Sequence, residues 1–310
     1  MSLFWFTSIS EKFDFEVVFG PVDTLAELQT TAKDCAVVVV ALHKMTEEKI
    51  SQMPESVKCI SRLGVGLDSI DLVAANKFKL PVIFQPTYAY NEVANHAAAM
   101  ALALHRGIYQ ATTTTQDGKW IPATQIAEIT SLQDSTLGVI GCGRIGQTFI
   151  KKMQPFVKDI IGFDPAVTEA IPGVTMTKNL DELLTKCKII SMHAPYMPST
   201  HHMIGKRELA LMQKGSILVN VSRGGLIDET ALIEALESGH LDGAGLDVFE
   251  KEPLAEDAPI RKTKNLLLSP HIAWYSKSSG PRLVEWGLVD AVNFVTKQSI
   301  SNGKFAAGPF

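Results

Sequence analysis

The stretch GVIGCGRIG, residues 138–146, determines which fold this chain adopts. Its last six residues read G-x-G-x-x-G, between an apolar run at 137–140 and a helical pattern at 145–153. In such a place the three glycines allow a tight turn, a close approach of the backbone to a pyrophosphate and close packing of helix on strand. The start of the helix adds unpaired N–H groups. We therefore predict a dinucleotide site formed by Gly141, Gly143, Arg144, Ile145 and Gly146.

An acidic residue follows the next predicted strand at the expected distance. The strand at 159–163 ends before Asp164, which lies 18 residues after Gly146. A carboxylate there accepts hydrogen bonds from ribose hydroxyls and repels a 2′-phosphate, so the predicted cofactor is NAD rather than NADP. Two alternatives stay open: Asp164 only caps the turn at Pro165, or the chain is a methyltransferase, a class whose first turn and second strand follow a similar pattern.

Apolar segments alternate with helical patterns on both sides of this motif. In the second half they predict a doubly wound parallel sheet, with strands at 136–140, 159–163, 188–192, 216–221, 243–248 and 265–268. The clearest helices between these strands are 180–187, 206–212 and 229–237. Before Pro86 a further α/β domain is predicted from strands at 15–19, 36–41, 58–62 and 81–84 and helices at 25–32 and 70–77, with 3–6 as the alternative first strand.

Two helices outside these alternating segments define the domain organisation. The pattern of 91–106 predicts a helix with Asn91 as N-cap and Gly107 as stop. Its alanine-rich face fits either close packing against another domain or subunit, or an ordinary core helix. The last helix, 282–297, follows the completed sheet and is expected to return to the first domain. The predicted domains are therefore a discontinuous one, 1–90 with 276–310, and a dinucleotide-binding one, 91–275.

The composition is that of a folded globular protein. The 310 residues are 46% hydrophobic, and 29 Lys and Arg against 33 Asp and Glu give a formal net charge of −4. This balance disfavours a polyanion partner such as nucleic acid. The four cysteines have no C-x-x-C spacing, and no apolar run approaches the ~20 residues of a membrane span. We expect a cytoplasmic protein with reduced thiols, no zinc site and no membrane partner.

Arg, Glu and His side chains follow three of the predicted strands. Arg223 lies in NVSRGGLID, Glu252 in GAGLDVFEKEP and His271 in SPHIAW. Ligands of open α/β sheets bind outside the carboxyl ends of the strands, so these three side chains could converge on a bound cofactor. Singly, each has a simpler interpretation: a surface ion pair for the arginine, a turn residue for the glutamate and a loop residue for the histidine.

These motifs, taken in order with SRLGVGLDSID (61–71) and MHAPYMPSTHHMI (192–204), resemble the D-isomer-specific 2-hydroxyacid dehydrogenase family over most of the chain. Residues 91–106 and 270–276 look more like its branch of C-terminal-binding-protein-like and phosphoglycerate dehydrogenase-like proteins. The resemblance implies an α/β fold of two Rossmann-like domains: a flavodoxin-like substrate domain and a doubly wound NAD-binding domain, with the active site in the cleft between them. We also expect a homodimer that packs through 91–106.

The resemblance also implies a role for each residue of the site. Arg223 would bind the substrate carboxylate and polarise the ketone, His271 would supply the proton, and Glu252 would orient His271 and stabilise its protonated form. Substrate contacts are expected from Val65, Gly66, Arg223 and Trp274, the last favouring an apolar or aromatic acid. Cofactor contacts are expected from His96, Pro195, Thr200, Val221, Ser222, Asp247, His271 and Ala273.

The implied reaction is NADH-dependent reduction of a 2-oxo acid to the D-2-hydroxy acid, or its reverse. No metal is expected, although His193, His201 and His202 lie close together in sequence. The alternative is a non-catalytic protein that senses NAD(H), similar to the corepressors of this branch. The three polar residues at the strand ends argue against it.

Overall fold

A computed structural model describes residues 3–13, 15–125 and 129–309. The chain divides into two compact units. Residues up to Ala89 together with those from Tyr275 onward form the first, and Tyr90–Trp274 forms the second. Within the described ranges, no helix combines the length and the apolar character that crossing a bilayer requires.

In chain order the helices are α1 (Leu3–Phe13), α2 (Leu25–Thr31), α3 (Glu47–Ser51), α4 (Leu72–Lys77), α5 (Tyr90–His105), α6 (Ile108–Gln116), α7 (Arg144–Met153), α8 (Leu180–Lys186), α9 (Lys206–Leu211), α10 (Glu229–Glu237) and α11 (Ser279–Lys297). The strands are β1 (Val37–Val40), β2 (Cys59–Arg62), β3 (Val82–Phe84), β4 (Thr136–Ile140), β5 (Asp159–Phe163), β6 (Thr175–Thr177), β7 (Ile189–Met192), β8 (Ser216–Asn220), β9 (Leu241–Leu246), β10 (Leu266–Leu268) and β11 (Lys304–Ala307).

The second unit contains the predicted doubly wound sheet. Its strands run parallel in the order β10-β9-β8-β7-β4-β5-β6. Every residue of β7 and β8 is buried, as expected for central parallel strands that are covered on both faces. The chain passes from β4 to β5 and β6 on one side and then to β7 on the other, so the strand order reverses beside β4. Ligands of such sheets bind outside the carboxyl ends of the strands at this point.

The first unit has a sheet in the order β1-β2-β3-β11, in which β11 pairs antiparallel with β3. Helix α11 packs on this sheet, and the Ser61 hydroxyl donates a hydrogen bond to the Gly287 carbonyl at 2.8 Å. A Cβ atom at Gly287 would lie 2.2 Å from a methyl carbon of Leu63, so glycine permits this close approach. The last helix therefore packs on the sheet of the first unit.

The prediction for the N-terminal strand is wrong. Residues 15–20 form neither strand nor helix, and the alternative first strand, 3–6, lies inside α1. Phe19 packs edge-to-face on Phe6 of that helix, with ring centroids 5.6 Å apart. Tertiary packing thus overrides the strand propensity of this apolar run. Strands β6, Thr-Met-Thr, and β11, Lys-Phe-Ala-Ala, are absent from the prediction, because neither is an apolar, β-branched run like those that mark the other strands.

Helix α5 is a core helix of the second unit. It begins one residue before Asn91, which therefore lies in the first turn and is not the N-cap. Its last residue is His105, two residues before Gly107, whose φ is 62°. Ala94, Ala97 and Ala101 on its apolar face are fully buried in the core of this unit. This alanine face packs inside the second unit, and the homodimer through 91–106 stays a prediction. A small residue here serves the close approach of α5 to its own sheet.

Candidate active site

The glycine-rich turn joins β4 to α7, and its three glycines meet different surroundings. Gly141 has a φ of 90°, and a Cβ atom there would lie 2.4 Å from the backbone nitrogen of Ala194. At Gly146 a Cβ would lie 2.0 Å from the Gly141 carbonyl oxygen, whereas at Gly143 it would meet no atom within 4 Å. Packing therefore requires the first and third glycines, while the second borders open space at the start of α7. That space, at a helix N-terminus whose first N–H groups have no acceptor within the helix, fits a pyrophosphate.

Asp164 lies beside this turn, directly after β5. One carboxylate oxygen accepts a hydrogen bond from the Cys142 N–H at 2.8 Å, and the other accepts one from the Ala166 N–H at 2.9 Å. Asp164 therefore does cap the local turn, as the simpler interpretation holds. A carboxylate oxygen can accept more than one hydrogen bond, so both oxygens retain capacity for ribose hydroxyls.

His271 and Glu252 form a hydrogen-bonded pair in the second unit. His271 Nδ1 lies 2.6 Å from a carboxylate oxygen of Glu252, whose other oxygen accepts the Phe249 N–H at 3.0 Å. Burial alone would raise the pKa of Glu252, but the hydrogen bond and charge of His271, the Phe249 N–H and the nearby Arg223 keep this pKa below its usual value. Glu252 is therefore an ionised partner for the imidazole at neutral pH.

Arg223 lies on the turn after β8. The side chain of Asn220 shapes this turn: its Oδ1 accepts the Ser222 N–H at 3.0 Å and its Nδ2 donates to the Arg223 carbonyl at 2.8 Å. The next residue, Gly224, packs so closely that a Cβ atom would lie 1.8 Å from the carbonyl carbon of Phe249. The fold thus places the Arg223 turn against the segment that leads to Glu252, and all three predicted catalytic residues belong to the second unit.

Asp247 supports the loop that carries His271. Its buried carboxylate accepts hydrogen bonds from the Ser269 hydroxyl at 2.5 Å and from the N–H groups of Ile272 and Ala273 at 2.9 Å each. His271 itself has a φ of 53°, and its N–H donates to the Asp247 carbonyl at 2.8 Å. The carboxylate predicted to contact the cofactor therefore already binds the loop that carries His271.

Sequence reasoning did not predict the contact between His96 and Ser269. The Nε2 atom of His96, on α5, lies 2.9 Å from the Ser269 hydroxyl, which in turn donates to Asp247. The indole of Trp274 donates to the His271 carbonyl at 2.9 Å. The position of Ser269 immediately before the Pro-His pair was the one available signal for its role, but a serine at a strand end has many possible partners.

The other predicted cofactor residues lie after β7 and β8. Thr200 closes its loop, donating from its hydroxyl to the Pro195 carbonyl at 2.9 Å. The Ser222 hydroxyl donates to the Met192 carbonyl at 2.9 Å, and Val221 is buried beside it. These loops follow parallel strands and therefore lie at the carboxyl edge of the sheet, as the glycine-rich turn does.

The predicted substrate loop belongs to the first unit. Val65 and Gly66 follow Gly64, whose φ of 138° is a conformation that favours glycine, and the Val65 side chain is exposed. The loop lies at the carboxyl end of β2. Its backbone N–H groups are thus presented at the edge of the sheet where ligands of parallel α/β units bind.

The three histidines near β7 have other partners. His193 Nε2 lies 3.0 Å from the Ser191 hydroxyl, and burial lowers the pKa of His193 to about 3. His201 and His202 stack with ring centroids 3.9 Å apart. In the part of the chain that the structure describes, no three His, Cys, Asp or Glu side chains are grouped so that they could hold a metal ion.

Fold and site together define a protein of two α/β units, the second of which has the architecture of a dinucleotide-binding domain. Residues 98–273 match the family model described as D-isomer specific 2-hydroxyacid dehydrogenase, NAD binding domain. The chain therefore belongs to the D-isomer specific 2-hydroxyacid dehydrogenase family, and its second unit contains the NAD-binding domain of that family. The family and fold class predicted from the motifs are confirmed.

Several relatives show the same relationship. The chain is 39% identical to the D-3-phosphoglycerate dehydrogenase of Methanocaldococcus jannaschii, over 85% of this chain and 50% of that protein. It is 33% identical to the glyoxylate reductase of Korarchaeum cryptofilum, over 82% of this chain and 77% of the relative. The solved structure of D-lactate dehydrogenase from Aquifex aeolicus, complexed with NAD and lactic acid, matches with a TM-score of 0.82 at 32% identity, over 93% and 90% of the two chains. The chain spans about half the length of the first curated relatives it matches.

Proposed function

We propose that this chain is an NAD-dependent oxidoreductase that reduces a 2-oxo acid to the D-2-hydroxy acid, or catalyses the reverse oxidation. The observation that carries the proposal is the His271–Glu252 pair, 2.6 Å apart, in the same unit as Arg223 and the glycine-rich turn. Bound NADH would supply the hydride. The residues of the chain must then bind the acid, polarise its ketone and provide a proton.

His271 is the proposed proton donor in reduction and the acceptor in oxidation. Its Nδ1 atom faces the ionised Glu252, so the other ring nitrogen, Nε2, is the one that can face a substrate oxygen. The Glu252 carboxylate stabilises the imidazolium form and orients the ring. Oriented in this way, His271 can deliver a proton to the developing alkoxide.

Arg223 is the proposed carboxylate-binding residue. Its guanidinium is permanently charged and planar, and can bind a carboxylate in a bidentate manner while a remaining N–H polarises the ketone oxygen. One of its nitrogens donates to the Ser222 carbonyl at 2.8 Å, which orients the side chain. The backbone N–H groups of Val65 and Gly66 are proposed as further donors to the same anionic group.

NADH is the proposed cofactor in preference to NADPH because Asp164 would repel a 2′-phosphate. The glycines at 141, 143 and 146 and the N–H groups of Arg144 and Ile145 would bind the pyrophosphate. A location of the active site in a cleft between two domains, an apolar substrate side chain near Trp274, a homodimer and a cytoplasmic location stay predictions.

The first experiment measures NADH oxidation with a panel of 2-oxo acids, with NADPH in parallel. We expect turnover of at least one acid, and we expect His271→Gln to lower kcat by a factor of about 10²–10⁴ while the Kd for NADH is unchanged. Lys206→Met, which removes one exposed ion pair with Glu234, is the matched control. A chain that binds NADH but reduces no acid would favour the NAD(H)-sensing alternative. Absence of NADH binding would contradict both.

A further inference from the structure

The ammonium group of Lys178 contacts the turn that carries Asp164. Its Nζ donates hydrogen bonds to the backbone carbonyls of Asp164 at 2.8 Å, Pro165 at 3.2 Å and Val167 at 2.9 Å. A lysine ammonium has three N–H donors, and the three hydrogen bonds to this turn use all of them. Surface lysines usually remain solvated and mobile, because ordering such a side chain costs conformational entropy. Lys178 is therefore bound to the turn in a way that an ordinary solvated lysine is not.

The backbone on both sides of Lys178 is also fixed. The Thr177 hydroxyl donates to Glu182 at 2.5 Å and accepts the Asn179 N–H at 3.1 Å. The Asn179 side chain caps α8 by accepting the Asp181 N–H at 3.0 Å. Because its neighbours are held in this way, Lys178 presents its ammonium group to the turn from a defined position at the end of β6.

The turn in question determines where the Asp164 carboxylate lies. That carboxylate accepts the N–H groups of Cys142 and Ala166, which tie it to the glycine-rich turn and to its own loop. Lys178 binds the carbonyl groups of the same loop. The two sets of hydrogen bonds together leave few alternative backbone conformations between Asp164 and Val167.

We infer that Lys178 is a positioning residue for the adenosine ribose of the cofactor: it orders the 164–167 turn so that Asp164 meets the ribose hydroxyls and excludes a 2′-phosphate. The inference rests on the proposed function, in which NADH binds at Asp164. Lys178 does not itself act as a phosphate-binding cation, because its three donors are already bound to carbonyl oxygens. By holding Asp164 in place, Lys178 favours NADH over NADPH, although its own side chain is a cation near the ribose site.

The test measures Kd values of the full chain for NADH and for NADPH by fluorescence titration. We expect Lys178→Met to raise the Kd for NADH about tenfold and to change that for NADPH less than about twofold, because the lost hydrogen bonds act through Asp164. In an Asp164→Ala background, Lys178→Met should have no further effect on NADH binding. Lys178→Arg, which keeps the charge and several donors, should stay within about threefold of the wild type.

Lys206→Met is the matched control, since Lys206 is likewise an exposed lysine but binds the Glu234 carboxylate, and it should leave both Kd values unchanged. The inference is overturned if Lys178→Met leaves the NADH affinity intact while Asp164→Ala weakens it, if both cofactors weaken equally, or if the two substitutions are additive. In each of those cases the proposed function stands. A wild-type chain without NADH affinity would overturn both.

Discussion

His271 combines a proposed chemical role with an unusual backbone conformation. A φ of 53° is uncommon for a residue other than glycine, and it persists only where the surroundings determine it. Here the Asp247 carboxylate binds the two N–H groups that follow His271, and the Asp247 carbonyl accepts the N–H of His271 itself. The strain at His271 is thus offset by a buried acid whose hydrogen bonds are formed with the loop.

Glu252→Gln tests the charge of the proposed acid–base pair. Glutamine has the size of glutamate but no negative charge, so the imidazolium form of His271 loses its stabilising partner. We expect kcat for reduction to fall by about 10- to 100-fold. Steady-state rates of NADH oxidation measure this effect. Glu250→Gln is the control, because Glu250 contacts His202 and not His271; an equal loss in that variant would contradict the assignment.

His193 makes the folded state sensitive to acid. Its pKa falls from 6.5 to about 3 on burial, so the unfolded chain binds this proton at a higher pH than the folded chain does. The contribution of His193 to the free energy of unfolding is therefore fully present above pH 6.5. It is lost as the pH falls from there towards 3, at about 1.4 kcal/mol per pH unit. His193→Gln should reduce the slope of the free energy of unfolding between pH 6 and pH 4, measured by urea denaturation. A slope identical to that of the wild type would show that His193 does not carry this effect.

At the scale of elements, the β4–α7 turn separates two uses of glycine. Gly146 lets α7 pack against the turn, since a Cβ atom there would overlap the Gly141 carbonyl oxygen. Gly143 has an ordinary backbone conformation and open space beside it, so its lack of a side chain matters only if a ligand occupies that space. Of these two glycines, the fold alone requires only Gly146.

A pair of alanine substitutions distinguishes these uses. Gly146→Ala should destabilise the chain by about 1–3 kcal/mol, because the overlap forces the backbone to move. Gly143→Ala should change the free energy of unfolding by less than about 1 kcal/mol. It should raise the Kd for NADH more than about tenfold, because the added methyl group would occupy space that the pyrophosphate needs. Thermal unfolding and NADH titration of both variants measure this. Unchanged NADH binding in Gly143→Ala would contradict the predicted pyrophosphate site.

Most elements of the second unit follow from local pattern, whereas the N-terminal segment does not. Strands such as β4 and β8 are long apolar runs between clear helix signals, and hydrophobic periodicity identifies them. The apolar run at 15–19 has similar residues but packs beside α1 instead of entering a sheet. Strand formation depends on a partner strand, and no local pattern records whether one is present.

At the scale of the whole molecule, the first unit depends on residues that are far apart in sequence. Helix α11 buries Leu283, Val284, Leu288 and Ala291, and Ala291 packs in one cluster with Ile83 of β3. The second unit, by contrast, is one continuous segment that contains both of its own core clusters. The two units should therefore differ in how they respond to separation.

Expression of the two parts tests this difference. The segment Tyr90–Trp274 should unfold cooperatively and bind NADH with a Kd within about threefold of that of the full chain, because a domain with its own core can fold alone. Residues 1–89 without the C-terminal segment should not fold, since the apolar face under α11 would be exposed. Circular dichroism and NADH titration provide the measurements. A stably folded 1–89 fragment would contradict the role assigned to α11.

The sequence by itself determined the doubly wound sheet and the glycine-rich turn, and it predicted Asp164 and the three proposed catalytic residues. Each of these belongs to a motif in which neighbouring residues carry the information. Only the tertiary structure decided that Asp247 binds the His271 loop, that His96 reaches Ser269 from 173 residues away, and that Lys178 binds the Asp164 turn. Periodicity and motif spacing report local conformation. Hydrogen bonds between distant loops depend on how the strands are ordered in the sheet, so they leave no pattern along the chain.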